Sequence, residues 1–329
     1  MKNLNRVLAG LLVTGLGFAG GVVAADGNGV PRIGYLAVAP ITDKPSPERA
    51  GFLAGLRELG YENGKNITIV YRSAEGTYDA LPFVAEELVE SGVKLVVTAG
   101  NPAIRALQEA SDSIPIVILF SADPVAAGFA KSLARPGGNI TGMSQQNLEL
   151  AAKRLELLKE TVPAIRRVGV LWDSSNPVMV GEWESTKTAA RQLGVELVSG
   201  DAAGEPSFTK IFEDIQRQRV DAIVTLIDLR TAGYREIIPE FALKQRLPSI
   251  TGLEAFAVNG GLMTYAPDFG DLSRRSAAYV DKILRGAKPG DLPIQQPTHY
   301  RLVLNLKTAR ALGITIPRHI LERADRIIE

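Results

Sequence analysis

Four acidic residues stand where short apolar runs end: Asp123, Asp173, Asp228 and Glu254. Around them lie Asn101-Pro102, Asp123-Pro124, Asn176-Pro177 and Ser46-Pro47. Each pair joins a residue that accepts hydrogen bonds from a helix start to the residue favoured at the first helical position. Capping alone accounts for any one pair, since the first N–H groups of every helix need partners. Several helix starts converging on one place do more, because their free donors and positive dipole ends suit a carboxylate or another anionic group. The acids suit the opposite charge. There are more carboxylates than capping requires, and no basic cluster stands in the same loops, so a cationic group is expected as well; donors plus acids describe a zwitterion. The candidate contacts are Thr42, Ser46, Gly100, Asn101, Ser121 and Asp123 from the first half of the chain. Trp172, Ser175, Asn176, Asp228, Glu254 and Tyr265 come from the second. Trp172 and Phe120 end apolar runs in opposite halves and could stack on an apolar portion of a ligand, with core packing as their ordinary role.

Other chemistry finds little footing. The two histidines, His299 and His319, lie in the C-terminal tail. No G-x-G-x-x-G follows the first apolar run, and there is no P-loop, nucleophile elbow, H-E-x-x-H or EF-hand loop. Gly60 to Lys65 is one residue short of a Walker loop and has no Ser or Thr after it. No catalytic residue, metal or cofactor is expected. The formal charge is +1 for the whole chain and −1 once Lys2 and Arg6 are set aside, with no basic stripe. Nucleic acid is therefore not an expected partner.

The elements that must hold these residues come in duplicate. Arg32-Ile33-Gly34-Tyr35-Leu36 returns as Arg167-Val168-Gly169-Val170-Leu171, and Leu59-Gly60-Tyr61-Glu62 as Leu193-Gly194-Val195-Glu196. Val93-Lys94-Leu95-Val96-Val97-Thr98 returns as Val220-Asp221-Ala222-Ile223-Val224-Thr225, and Gly137-Gly138-Asn139-Ile140-Thr141 as Gly260-Gly261-Leu262-Met263-Thr264. A period of about 130 residues is the size of a domain and far too long for a solenoid. Apolar runs predict strands over 32–39, 66–71, 94–98 and 116–120, then over 168–172, 195–199, 222–226 and 249–251. Helices are predicted over 48–59, 81–90 and 102–110, then over 180–193, 208–218 and 234–244. A helix over 272–284, a turn-rich connector over 288–297, a strand over 298–304 and a helix over 306–312 complete the chain. Alternation of this kind implies parallel sheets wound on both faces, whose ligands sit beyond the carboxyl ends of the strands. The expected fold is α/β: two similar doubly wound parallel-sheet lobes joined by a three-strand hinge. Residues 26–141 with about 265–297 make one lobe, and 142–264 with about 298–329 make the other. Glycine-rich crossings would absorb the dihedral change as the lobes close on a ligand.

The first 25 residues read as a signal peptide. Lys2 and Arg6 precede an apolar stretch from Leu8 to Ala19, and Val23-Ala24-Ala25 ends on small residues suited to cleavage near Ala25. Export to the periplasm follows. The chain has no cysteine, so no lipid anchor is expected after cleavage, and a mature chain of this length can hold together without disulfides. Nothing requires more than a monomer.

Several stretches carry a resemblance. Asp123-Pro124-Val125, Ser132-Leu133-Ala134-Arg135-Pro136-Gly137-Gly138-Asn139-Ile140-Thr141-Gly142 and Gly260-Gly261-Leu262-Met263-Thr264-Tyr265-Ala266-Pro267-Asp268 are among them, as is the run from Tyr279 to Pro293. With Gln296-Pro297-Thr298 and Asn305-Leu306-Lys307-Thr308-Ala309 they resemble the ABC-transporter substrate-binding family that includes tryptophan and tyrosine binders. The likeness runs from about residue 31 to the C-terminus. It implies a periplasmic-binding-protein type I fold that delivers a small molecule, an amino acid or similar zwitterion, to an inner-membrane ABC permease. Asp228-Leu229 stands where that family commonly reads Asp-Pro, and Glu254 stands near a place where it often has an aromatic-basic pair. Both departures fall where specificity would be set. An exported enzyme working in the same cleft, or a ligand sensor for a membrane kinase, are the alternatives the residues leave open.

Overall fold

The computed structural model describes residues 29–145, 147–204 and 208–329; the expected signal peptide lies outside them. The first lobe is built from β1 (Arg32–Ala37), α1 (Pro47–Glu58), β2 (Thr68–Ser73), α2 (Leu81–Glu90), β3 (Val96–Thr98), α3 (Asn101–Ala110), β4 (Ile116–Ser121) and β5 (Ile140–Ser144). Its five strands lie in the order β2-β1-β3-β4-β5, all parallel. The β3 and β4 residues are almost wholly buried, as befits strands covered on both faces. Helix α2 buries Leu81, Val84, Ala85 and Leu88, one stripe at helical spacing. Leu88 presses on the middle of the sheet, where a Cβ at Gly34 would lie 2.9 Å from its side chain. Burying a leucine in this way is worth about 2 kcal/mol.

The chain continues through α4 (Asn147–Thr161), β6 (Arg167–Trp172), α5 (Pro177–Leu193), β7 (Glu196–Asp201), α6 (Thr209–Arg217), β8 (Ala222–Thr225), α7 (Leu229–Gly233), α8 (Ile237–Lys244), β9 (Ser249–Thr251), α9 (Glu254–Val258) and β10 (Met263–Pro267). Helix α10 (Phe269–Leu284), β11 (Tyr300–Asn305), α11 (Leu306–Leu312), α12 (Arg318–Leu321) and β12 (Arg326–Ile328) follow. The second sheet runs β12-β11-β10-β9-β8-β6-β7. Its stretch β7-β6-β8-β9-β10 has the same winding as β2-β1-β3-β4-β5, so the duplicated sequence is a duplicated sheet. The paired glycines agree: a Cβ at Gly169 would lie 2.7 Å from Ile215 of α6, as one at Gly34 meets Leu88.

Three features depart from the sequence expectation. The second sheet is mixed rather than parallel, because β11 returns antiparallel to β10 and β12 runs alongside it. The helix predicted over 234–244 begins at Ile237 as α8, and a short helix that was not predicted, α7, precedes it, started by the Asp228–Thr231 capping box. Helix α4 occupies a stretch for which no element was predicted. It packs on α5 and answers to α10, which packs on α1. Each half of the repeat therefore ends by giving a helix to the other lobe. The α1–α10 contact is close: a Cβ at Gly51 or Gly55 would lie 2.1 Å from the carbonyl oxygens of Gly270 and Arg274.

The chain crosses between the sheets after β5, after β10 and before β11. Met143 bridges Gln295, and Pro267 pairs with Tyr300, so the three crossings run side by side. Both outgoing crossings leave from the carboxyl ends of their strands. The carboxyl ends of the two sheets thus share the hinge edge.

Candidate functional site

In the first lobe the site begins with Gly100, whose φ of +83° turns the chain sharply between β3 and α3. Its N–H donates to the Phe120 carbonyl at 3.0 Å. The turn sets Asn101 against the end of β4, where its Oδ1 accepts from Ser121 Oγ at 2.8 Å and from the Ala122 N–H at 3.3 Å. Ser121 is fully buried. The Asn101 Nδ2 is buried too, and among the described residues it has no hydrogen-bond partner. Such a donor normally costs stability unless something accepts from it. Ser46 caps α1 by accepting from the Arg49 N–H, while the Arg49 guanidinium donates to the Thr42 carbonyl and folds the loop after β1 back onto the helix.

Two expected caps are corrected. Asn101 is the first residue inside α3, not its cap; Gly100 holds the cap position without a side chain. The Asp123 carboxylate caps a turn at the Val125 and Ala126 N–H groups, and no helix follows it.

In the second lobe Asp173, Asn176 and Asp228 draw together at the ends of β6 and β8. Asn176 caps α5 with its Oδ1, which accepts from the Val178 N–H at 3.1 Å, and its side chain lies near enough to Asp228 to favour that carboxyl's charged form. Asp173 accepts from the Ser175 N–H at 2.9 Å and from its hydroxyl at 2.5 Å. Asp228 accepts from the Thr231 N–H at 2.9 Å. Burial pushes the Asp228 carboxyl above the ordinary carboxylate range, and the neighbouring Asp173 charge adds to this against the hydrogen bonds from Thr231 and Asn176. Among the described residues neither Asp173 nor Asp228 forms an ion pair.

Two residues that the sequence reading missed complete this mouth. Asp201 ends β7 two residues beyond the predicted end of that strand. Burial raises its carboxyl, but hydrogen bonds from Ser174 and Ala203 together with Arg230 more than offset this and hold it below the ordinary range. Arg230, in the first turn of α7, has a buried Nε with no hydrogen-bond partner.

Three candidates face elsewhere. Trp172 is buried in the core, stacked on Trp183 with ring centroids 5.0 Å apart, and its indole N–H donates to Ser199 Oγ at 2.8 Å. Tyr265 stacks on Tyr300 at 5.7 Å beside the hinge. Glu254 pairs with Arg301 at 3.3 Å and with Arg326. The sequence reading took its charge as uncompensated, and that premise fails: strands β11 and β12, distant in sequence, bring the two arginines to it. Phe120 sits against Phe269 at 4.8 Å.

Among the described residues no group of acids and histidines could hold a metal ion, and no helix is long and apolar enough to cross a membrane. Buried donors at one mouth and a carboxylate pair at the other can hold a small molecule of both charges.

Comparison with known proteins places the chain in a family. The family model described as ABC transporter substrate binding protein matches residues 36–328. A tyrosine-binding protein of Clostridioides difficile (strain R20291) is 24% identical over 324 residues, covering 95% of this chain and 92% of that protein. The crystal structure of an ABC domain in complex with L-Trp from Streptococcus pneumonia superposes with a TM-score of 0.81 at 28% identity, over 91% of this chain and 100% of that one. A conserved domain protein from Vibrio cholerae o1 biovar eltor has a TM-score of 0.83 at 29% identity with the same coverage. The fold is that of the type I periplasmic binding proteins.

Proposed function

Since the chain belongs to the family of ABC transporter substrate binding proteins, we propose that it captures a free amino acid between its lobes and presents it to the membrane permease of an ABC importer. The observation that carries this reading is the opposed polarity of the two mouths. Asn101 Nδ2 is a buried donor without an acceptor, beside the Ser121 hydroxyl at the start of α3. An α-carboxylate supplies the missing acceptor. Across the cleft, Asp173 and Asp228 form a carboxylate pair that has no ion-pair partner among the described residues, and an α-ammonium supplies one. Arg230 and Asp201 border this pair.

Gly100, Asn101 and Ser121 hold the carboxylate in this reading, and Asp173, Asn176 and Asp228 hold the ammonium. Thr42, Ser46 and Ser175 shape the surrounding loops, as Asp123 does through its turn. Trp172, Glu254 and Tyr265 act through the core and the edge of the lobe and do not touch the ligand. The aromatic ligands of the relatives make L-tyrosine and L-tryptophan the first compounds to test. Residues 1–25 serve as a signal peptide, and the mature monomer works unanchored in the periplasm, no cysteine being present for a lipid.

Titration calorimetry and thermal unfolding against the twenty common amino acids test the reading. A ligand at a hundred times its Kd stabilises the folded state by about 2.7 kcal/mol, which a melting curve reads easily. Native mass spectrometry of protein purified without refolding then identifies any retained compound. Should no amino acid give heat or raise Tm while a non-zwitterionic compound is found bound, the proposal is wrong.

A further inference from the structure

Arg154 lies outside every candidate contact, yet it is 3% exposed and reaches three parts of the second lobe at once. It projects from α4, the helix that follows the first crossing. Its Nε donates to the Tyr265 carbonyl at 2.9 Å, in the strand that leads into the second crossing. Its Nη1 lies 3.6 Å from Glu182 Oε2 on α5, the helix capped by Asn176, and Glu182 is itself 1% exposed. Its Nη2 rests on Gly252, where a Cβ would come within 2.4 Å, at the end of β9 and just ahead of α9. A glycine is needed there because a guanidinium fills the space a side chain would take.

Buried ion pairs of this kind contribute little net stability, because removing both charges from water offsets most of their attraction. Burial also lowers the affinity of Arg154 for its own proton, against the pull of Glu182. Stability alone is therefore a weak reason for the pair. Its position offers a better one: it joins the roots of two hinge crossings to the helix and loop that carry the second mouth.

We propose that Arg154 and Glu182 form a positioning pair that registers the hinge crossings against the second-lobe mouth, and so set the balance between open and closed forms without touching the ligand. The consequence for affinity rests on the amino-acid reading above; the consequence for lobe geometry does not. The chain has no cysteine, so E86C and Q216C, at exposed positions in opposite lobes, accept spin labels cleanly. Electron–electron double resonance on the ligand-free protein then reads the interlobe distance distribution in the wild type, in R154M and in the apolar replacement R154M/E182L.

R154M removes the guanidinium beside the buried Glu182 and is expected to melt early. The double variant removes both charges and is expected to recover wild-type Tm. Its distance distribution should nonetheless be shifted or broadened, and its affinity for L-tyrosine or L-tryptophan should fall at least tenfold. A merely structural pair would restore distances along with Tm. Interlobe distances in R154M/E182L that match the wild type overturn the inference. If the wild type binds neither amino acid, the ligand reading fails on its own and the distances still decide this one.

Discussion

In the proposed site, Asp228 is the residue at which folding and ligand binding would make opposite demands. Burial and the nearby Asp173 raise its carboxyl above the ordinary range, so the folded protein favours the neutral form. That preference stabilises the fold below the unfolded carboxylate value, about 3.9, and is lost as pH rises through the higher folded value. An α-ammonium needs the charged form, so affinity should climb over the same interval in which ligand-free stability declines. D228N keeps a good helix cap. At neutral pH it should leave Tm unchanged or slightly higher and weaken amino-acid binding at least tenfold, as melting curves and calorimetry between pH 4.5 and 7.5 would read. Asn101 gives the matching test on the other mouth. N101A should weaken binding about tenfold, roughly the worth of one hydrogen bond to a charged group. N101D keeps the acceptor for Ser121 but sets a negative charge against the ligand carboxylate, and a loss nearer a hundredfold is expected. Wild-type affinity in N101D would mean that the ligand lies the other way round.

Among the elements, α1 and α10 carry a backbone-to-backbone contact that admits only glycine. G55A puts a methyl group 2.1 Å from the Arg274 carbonyl oxygen, a backbone atom that cannot swing aside. A cost of about 1–3 kcal/mol is expected, seen as a fall of several degrees in Tm. Most strands and helices of both lobes were legible as apolar runs, and the repeated R-x-G identified the inner strands β1 and β6, but β5 and β10 read only as glycine-rich crossings and β12 was not predicted. Helix α4 was equally periodic, with Leu148, Ala151, Leu155 and Leu158 on one stripe. It went unread because its counterpart α10 was treated as an appendage rather than as part of the repeat. The rule that ligands sit at carboxyl ends picked out the loops of Asp173, Asn176 and Asp228, which lie side by side at the ends of β6 and β8. Strand pairing between segments far apart in sequence was not legible. Glu254 therefore looked uncompensated until β11 and β12 placed Arg301 and Arg326 on it, and Trp172 looked available until α5 placed Trp183 over its ring.

At the scale of the whole molecule, the exchange of α4 and α10 makes the two lobes mutually dependent. The first lobe has its sheet complete at Ser144, but α1 lacks its partner until Leu284. Thr141 Oγ1 also donates at 2.7 Å to a carbonyl as far along as Leu292. Some 140 residues must leave the ribosome in between. Nascent chains stalled after residue 260 should accordingly be cut by protease within the first lobe, whereas chains released after residue 300 should resist. A polypeptide that cannot finish its opening domain until nearly all of it has been synthesised stays pliable for most of its own translation, which is the condition a narrow translocation channel demands of its passengers.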